Sequence, residues 1–393
     1  MNSQELKELY QDYVAPTYGR FDLAIASGKG VRCKDFEGKE YLDFTSGIGV
    51  NSLGFCDEGW SAAVANQAAA LNHTSNLYYT QPGGLLAKLL CENSGMKKAF
   101  FSNSGAEANE GVIKTARKYS RDRYGEGREK ILTLVNSFHG RTIATLKATG
   151  QEVFHQNFMP FPDGFDYVEA NNLEDLAAKI DSSTCAVMVE MVQGEGGVIP
   201  LDHAFVHAIQ AHCQQKDLLF IVDEVQTGIC RTGSLFAYQQ FGLHPDLVSF
   251  AKGIGGGLPL GGFLLGEKTK DVLGKGDHAT TFGANPICCA GALEVMKRLC
   301  NPEGLSSISQ KGEYLRSKLL SLPHIAGVDG MGMMLGASLE GIAAGQVVAR
   351  CIQEGLLLLT AKTKLRFLPP LIISYEEIDE GLDMLERVLK SFS

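Results

Sequence analysis

An acid and an amine, Asp223 and Lys252, each emerge at the end of an apolar run, 220–222 and 247–250. Such pairs usually form structural salt bridges, so this one alone decides nothing. Ser102-Asn-Ser-Gly-Ala-Glu-Ala108 follows a third apolar run and opens a helical pattern. Its small residues Gly105 and Ala106 let a ligand approach the backbone, and the free N–H groups of a helix start suit a phosphate. An N-capped surface helix fits the same segment. Phe138 and Arg141, in Ser137-Phe-His-Gly-Arg-Thr142, set an aromatic ring beside a cation, a combination that could stack on a planar group and hold a carboxylate. A lone Phe is more often core. Taken together, a phosphate cup, a stacking ring, an acid and an amine at the ends of strands are what pyridoxal phosphate chemistry requires. There the lysine bonds covalently to the cofactor, and the carboxylate keeps the pyridine nitrogen protonated as an electron sink.

These groups share one crevice only if the strands share one sheet. Between about residues 60 and 290, short apolar or β-branched runs alternate with longer helical patterns, the signature of parallel strands with helical crossovers. The pattern predicts strands at 98–101, 131–135, 185–189, 219–222, 247–250 and 263–265. In such a sheet the loops beyond the carboxyl ends face a common crevice, with helix N-termini aimed into it. Glu190 and Gln193-Gly-Glu-Gly-Gly197 follow the third of these strands, and Asp223-Glu-Val-Gln226 the fourth. Helices are expected at 305–320 and 376–389, with strands at 355–373 broken by Pro369-Pro370 between them, and a hairpin-like start at 35–44. The expected class is therefore α/β: a large domain at 60–290 with a mainly parallel sheet, and a smaller α+β domain at 291–393 joined by the segment 1–59.

Composition narrows the function classes. The 393 residues carry 36 Lys+Arg against 45 Asp+Glu, a net charge of −9 that argues against a nucleic-acid binder. Ten cysteines show no CxxC and no regular spacing, which fits reduced thiols. No apolar stretch reaches the ~18 residues of a membrane helix, and the N-terminal residues resemble neither a secretory nor a transit peptide. A cytoplasmic protein is expected. Gly253-Ile-Gly-Gly-Gly257 is followed by Leu258 where a dinucleotide fingerprint needs its third glycine, and Gly274-Lys-Gly276 lacks the hydroxyl residue of a P-loop. His203 and His207 have i, i+4 spacing but no adjacent glutamate, so no metal site is expected.

With these residues on the page, the chain resembles the class III pyridoxal phosphate aminotransferases. The matching segments run nearly end to end. They are Thr17-Tyr-Gly-Arg20, Tyr41-Leu-Asp-Phe44 with Ser46-Gly-Ile-Gly-Val50, Asn76-Leu-Tyr-Tyr79, the 102–108 and 138–142 motifs, Gln193 to Gly197, Asp223-Glu-Val-Gln-Thr-Gly228, Ala251-Lys-Gly253, Thr280-Thr-Phe-Gly-Ala-Asn-Pro286 and Arg366-Phe-Leu-Pro-Pro370. The chain departs from the family pattern at Met191, where proline is common. It departs again at Cys230, where glycine is common, and in the 361–365 loop, which lacks a usual glycine.

The resemblance implies the type I fold of pyridoxal phosphate enzymes and a role for each candidate. Lys252 would carry the cofactor and shuttle the substrate proton, Asp223 would bind the pyridine nitrogen, Gln226 the ring oxygen, and Phe138 would stack on the ring. Gly105 and Ala106, with Thr281 of a neighbouring subunit, would hold the phosphate, which implies a homodimer. Arg141, with Thr280 beside it, would bind the substrate's distal carboxylate. Arg366 would bind the α-carboxylate of glutamate and 2-oxoglutarate, and Glu195 would pair with Arg366 when a donor without that group is bound. Glu190 would orient the cofactor or its partner groups. The implied reaction moves the 5-amino group of N2-acetylornithine to 2-oxoglutarate, as in arginine biosynthesis. Ornithine, succinylornithine or 4-aminobutyrate are the alternative donors, and an aminomutase or epimerase is the alternative reaction. Ile48 stands where ornithine-specific members resemble one another in having a tyrosine, which favours an acylated donor. A binding protein that merely kept the fold would not be expected to retain both Lys252 and Asp223.

Overall fold

The computed structural model describes residues 1–392. Seven strands form the large sheet. From edge to edge they are Lys98–Ser102, Gly261–Leu265, Leu247–Phe250, Leu219–Asp223, Thr184–Val189, Lys130–Leu134 and Phe165–Val168. All run parallel except Gly261–Leu265, which is antiparallel to both neighbours. Every residue of the four strands from Gly261–Leu265 to Thr184–Val189 is buried. Burial on both faces explains why they read as continuous apolar runs without alternation. The helix Gly105–Tyr124 packs across Leu247–Phe250 and Gly261–Leu265. Its close approach depends on Gly111, where a Cβ would stand 2.2 Å from the Phe263 ring.

Two four-stranded sheets lie outside this core. One runs Ile325–Met331, Met334–Leu339, Lys364–Phe367, Leu359–Ala361, antiparallel throughout. The other is Ile25–Lys29, Arg32–Asp35, Glu40–Asp43 and Leu356–Leu357, so a strand from the far end of the chain pairs in parallel with the expected N-terminal hairpin. The helices Pro302–Leu319 and Tyr375–Lys390 match the two expected ones to within three residues. Phe44 is fully buried where the helix residue Gly381 leaves no room for a Cβ, and it meets Phe367 edge to face at 6.4 Å. The buried Arg231 donates to the carbonyls of Met333 and Pro369, tying the loop after Asp223 to the antiparallel sheet.

One expectation needs correction, and two elements escape the sequence pattern. The strands in 355–373 are separated at Leu358 and at the 362–363 turn, and Pro369-Pro370 follows the last of them instead of breaking them. The edge strand Phe165–Val168 escapes the sequence pattern because only Val168 in it is buried. The hairpin Ile325–Leu339 escapes it because its first strand has no fully buried residue to set a period. Cys230 has φ +69°, and Lys362, in the loop that lacks the usual glycine, has φ +52°. The backbone thus keeps a left-handed geometry without glycine at both places, at a cost of about 1 kcal/mol each. No helix among the described residues is long and apolar enough to cross a membrane.

Candidate active site

The carboxyl ends of the central strands open on a cavity of about 470 Å³. Asp223, the last residue of its strand, lies buried in the wall. Its Oδ2 accepts from Asn109 Nδ2 at 2.8 Å and lies 2.7 Å from His139 Nδ1, while its Oδ1 accepts the Val225 N–H at 2.9 Å. Both oxygens are therefore fixed before any ligand binds. No ion pair joins Asp223 to Lys252 among the described residues, so the salt-bridge reading of the two does not hold.

Lys252 follows Leu247–Phe250 by one residue and opens a short 3-10 turn at φ +47°. A lysine in the left-handed region stores strain of order 1 kcal/mol, a frequent feature of functional positions. Burial depresses its amine pKa. Glu195 opposes that shift, Arg366 adds to it, and Asp223 and Glu190 oppose it weakly. An amine so placed gives up its proton more readily than a surface lysine.

The helix that begins at Gly105 is capped by Ser104, whose Oγ accepts the Glu107 N–H at 3.2 Å. Gly105 and Ala106 line the cavity at this helix start. A Cβ on Gly105 would stand 2.6 Å from Val225 Cγ1, so the cup is closed to larger residues. Phe138 and Arg141 line the cavity as well, Phe138 half-buried and Arg141 exposed.

Arg366 and Glu195 meet beside the cavity. Arg366 Nη1 donates to Glu195 Oε1 at 2.5 Å, and Arg366 is only 3% exposed. Burial pushes the Glu195 carboxyl up, but the charge and hydrogen bond of Arg366, with help from Lys252 and Gln226, outweigh it and leave the carboxyl below its usual range. Gln226 Nε2 reaches the same Glu195 oxygen at 3.4 Å. Glu190 behaves oppositely. Burial, and then the charge of Asp223, push its carboxyl well above the usual range.

Thr280 and Thr281 do not reach the cavity from within this chain. Thr281 is exposed, and Thr280 Oγ1 accepts from Asn103 Nδ2 at 3.1 Å. Sequence reasoning missed the role of Asn109 and His139 in fixing Asp223. The available signal was Asn109 itself, a polar residue amid the buried Ala108, Val112 and Ile113 of its helix.

The class-III aminotransferase family model matches residues 13–389. The chain belongs to that family. It is 54% identical over 391 residues to an acetylornithine aminotransferase of Haemophilus ducreyi, covering 99% of each. It is 45% identical to another from Caldanaerobacter subterraneus, covering 96% of this chain and 97% of that one. Among solved structures it superimposes on an ornithine aminotransferase from Toxoplasma gondii with a TM-score of 0.94 at 29% identity, covering 100% of this chain and 96% of the other. An N-acetylornithine aminotransferase from Stenotrophomonas maltophilia gives 0.84 at 34% identity, covering 98% of each.

Class-III aminotransferases depend on pyridoxal phosphate, and the residues of this site fit it. Buried polar atoms without a partner, Gln226 Oε1 and Glu190 Oε2 among them, belong to side chains in the cavity wall. A ring substituent or a bound substrate would satisfy them. His139, Glu190 and Asp223 also place ligand atoms within 4.8 Å of one another, close enough for a metal ion. The two Asp223 oxygens already have protein partners, and an added ring N–H would meet the carboxylate from the cavity side.

Proposed function

We propose that this class-III aminotransferase transfers the 5-amino group of N2-acetylornithine to 2-oxoglutarate. The observation that carries the reading is the Arg366–Glu195 pair, combined with an Arg141 guanidinium that has no anionic partner among the described residues. A donor whose reacting amine sits far from its carboxylate needs only Arg141, and Glu195 then covers Arg366. A dicarboxylate acceptor needs both cations, so Glu195 must move aside. The full-length similarity to acetylornithine aminotransferases supports the choice of donor. So does Ile48, whose side chain offers no acceptor for a free α-ammonium.

In this reading Asp223 holds the pyridine nitrogen, Gln226 the ring oxygen, Phe138 the ring face, and the Gly105–Ala106 helix start the phosphate. The cofactor, when bound, supplies an electron sink for the carbon that bears the amine. Lys252 Nζ takes the proton from that carbon and returns it later, a task suited to an amine whose pKa burial has lowered. Glu190, whose buried Oε2 has no partner, faces the group bound in front of it and orients it. Thr281 completes the phosphate site of a partner copy, and Thr280 stands beside that copy's Arg141. The exposed Leu77, Tyr78, Tyr79 and Phe282 support a homodimer by offering an apolar surface to cover. The domain division at 60 and 291, and a cytoplasmic setting in keeping with ten free cysteines, belong to the same proposal.

Steady-state comparison of acetylornithine, succinylornithine, ornithine and 4-aminobutyrate with 2-oxoglutarate tests it. Acetylornithine should give the highest kcat/KM. Equal or better turnover of free ornithine would overturn the assignment.

A further inference from the structure

Arg141 and Lys252 are the two Lys or Arg side chains that line the cavity. Arg141 has neither a hydrogen bond nor a carboxylate partner among the described residues. Its orientation comes from two aromatic faces. The guanidinium carbon stands 4.2 Å from the Phe154 ring centroid and 5.4 Å from that of Phe138. The rings themselves meet edge to face, with centroids 6.0 Å apart and planes at 80°, so they form a corner in which the cation rests. Phe154 ends the short turn Glu152–Phe154, and Gln151 just before it donates to the Ser137 carbonyl at 3.0 Å. The turn is thereby anchored to the segment that carries Phe138.

We propose that Phe154 is a positioning residue that sets the specificity of the reaction for carboxylate-bearing substrates by holding Arg141 with its ring face. The inference rests on the reading that Arg141 meets the substrate's distal carboxylate. An acidic neighbour would orient Arg141 equally well, but it would neutralise the guanidinium and have to be displaced by each incoming carboxylate. A ring face restrains the cation while leaving its N–H groups and full charge free. Phe138 cannot serve alone, because the cofactor ring claims its face.

The test compares Phe154→Leu, Phe154→Tyr and Phe154→Ala in the holoenzyme, with N-acetylornithine and N-acetyl-1,4-diaminobutane as donors. The second donor is the same chain without the carboxylate. Phe154→Leu keeps apolar bulk but removes the π face, and should raise KM for N-acetylornithine about fivefold with kcat little changed. Phe154→Tyr should restore it. Constants for the diamine donor should not move in any variant. Phe154→Leu behaving as wild type, or Phe154→Leu harming both donors equally, overturns the proposal. Should Phe154→Ala unfold, the Leu and Tyr pair still decides. Failure of the underlying reading looks different, since the wild-type enzyme itself would then treat the two donors alike.

Discussion

Glu195 accepts from Arg366 at 2.5 Å in a place where the arginine has almost no contact with solvent. A guanidinium so buried needs an anion at every stage of the reaction, and removing one partner of a buried pair costs about 3–5 kcal/mol. Glu195→Ala should therefore lower kcat/KM for acetylornithine by roughly a hundredfold, allowing for water entering the space. The acceptor brings its own carboxylate, so KM for 2-oxoglutarate should hold or fall. Single-turnover measurement of each half-reaction separates the effects. A loss confined to the acceptor half would contradict the masking role.

Lys252 is the one cavity residue whose replacement should abolish turnover without emptying the site. On the proposed roles, Lys252→Ala would remove the covalent link and the proton carrier together, and should cost several orders of magnitude in kcat. The Gly105–Ala106 helix start and Asp223 remain, so the variant should still take up the cofactor. Borohydride treatment of the wild-type holoenzyme should leave an adduct on the peptide that contains residue 252. An adduct elsewhere would refute the assignment.

The hold on Asp223 predicts a weaker phenotype for a residue that touches no substrate. His139→Phe removes one of three hydrogen bonds to the carboxylate, each worth about 1.5–3 kcal/mol when a charged group is involved. Cofactor affinity, followed by titration of the apoenzyme, should fall at least about tenfold. Asn109→Ala should act in the same direction, because Asn109 bridges the His139 carbonyl and Asp223. Unchanged affinity in both would show that neither side chain is needed to hold Asp223 for the cofactor.

That network also marks how far the sequence could be read. Asp223 and Lys252 were legible because strands buried on both faces appear as apolar runs, and chemistry follows at their ends. Asn109 and His139 were not, because their meeting with Asp223 depends on which strands are neighbours. The chain visits the sheet out of order, so sequence position does not say which loops share the crevice. The Phe165–Val168 edge strand and the 325–339 hairpin were lost for a different reason. The residues of Phe165–Val168 and of the hairpin's first strand, mostly part-exposed, produce neither an apolar run nor an alternation. Phe154 belongs with these, since a Phe in a three-residue turn carries no periodicity.

Glu224 gives the apoenzyme a pH dependence separate from catalysis. It is fully buried, with Oε1 accepting the Tyr238 N–H at 2.9 Å and Oε2 accepting from Thr227 Oγ1 at 2.5 Å. Burial raises its carboxyl pKa from 4.5 to about 7, and the hydrogen bonds offset only part of the shift. A carboxyl whose pKa is higher folded than unfolded binds more protons in the native state. Its contribution is therefore fully present below about pH 4.5 and is lost as the pH rises through about 7. The loss is on the order of 3 kcal/mol at most. Glu224→Gln keeps an oxygen for the Tyr238 N–H and removes the titration. Urea unfolding of wild type and variant across pH 4 to 9 checks this: the stability difference should turn in favour of the glutamine variant as pH rises. A difference that stays constant with pH would mean that Glu224 titrates alike in the folded and unfolded protein, and would refute the shift.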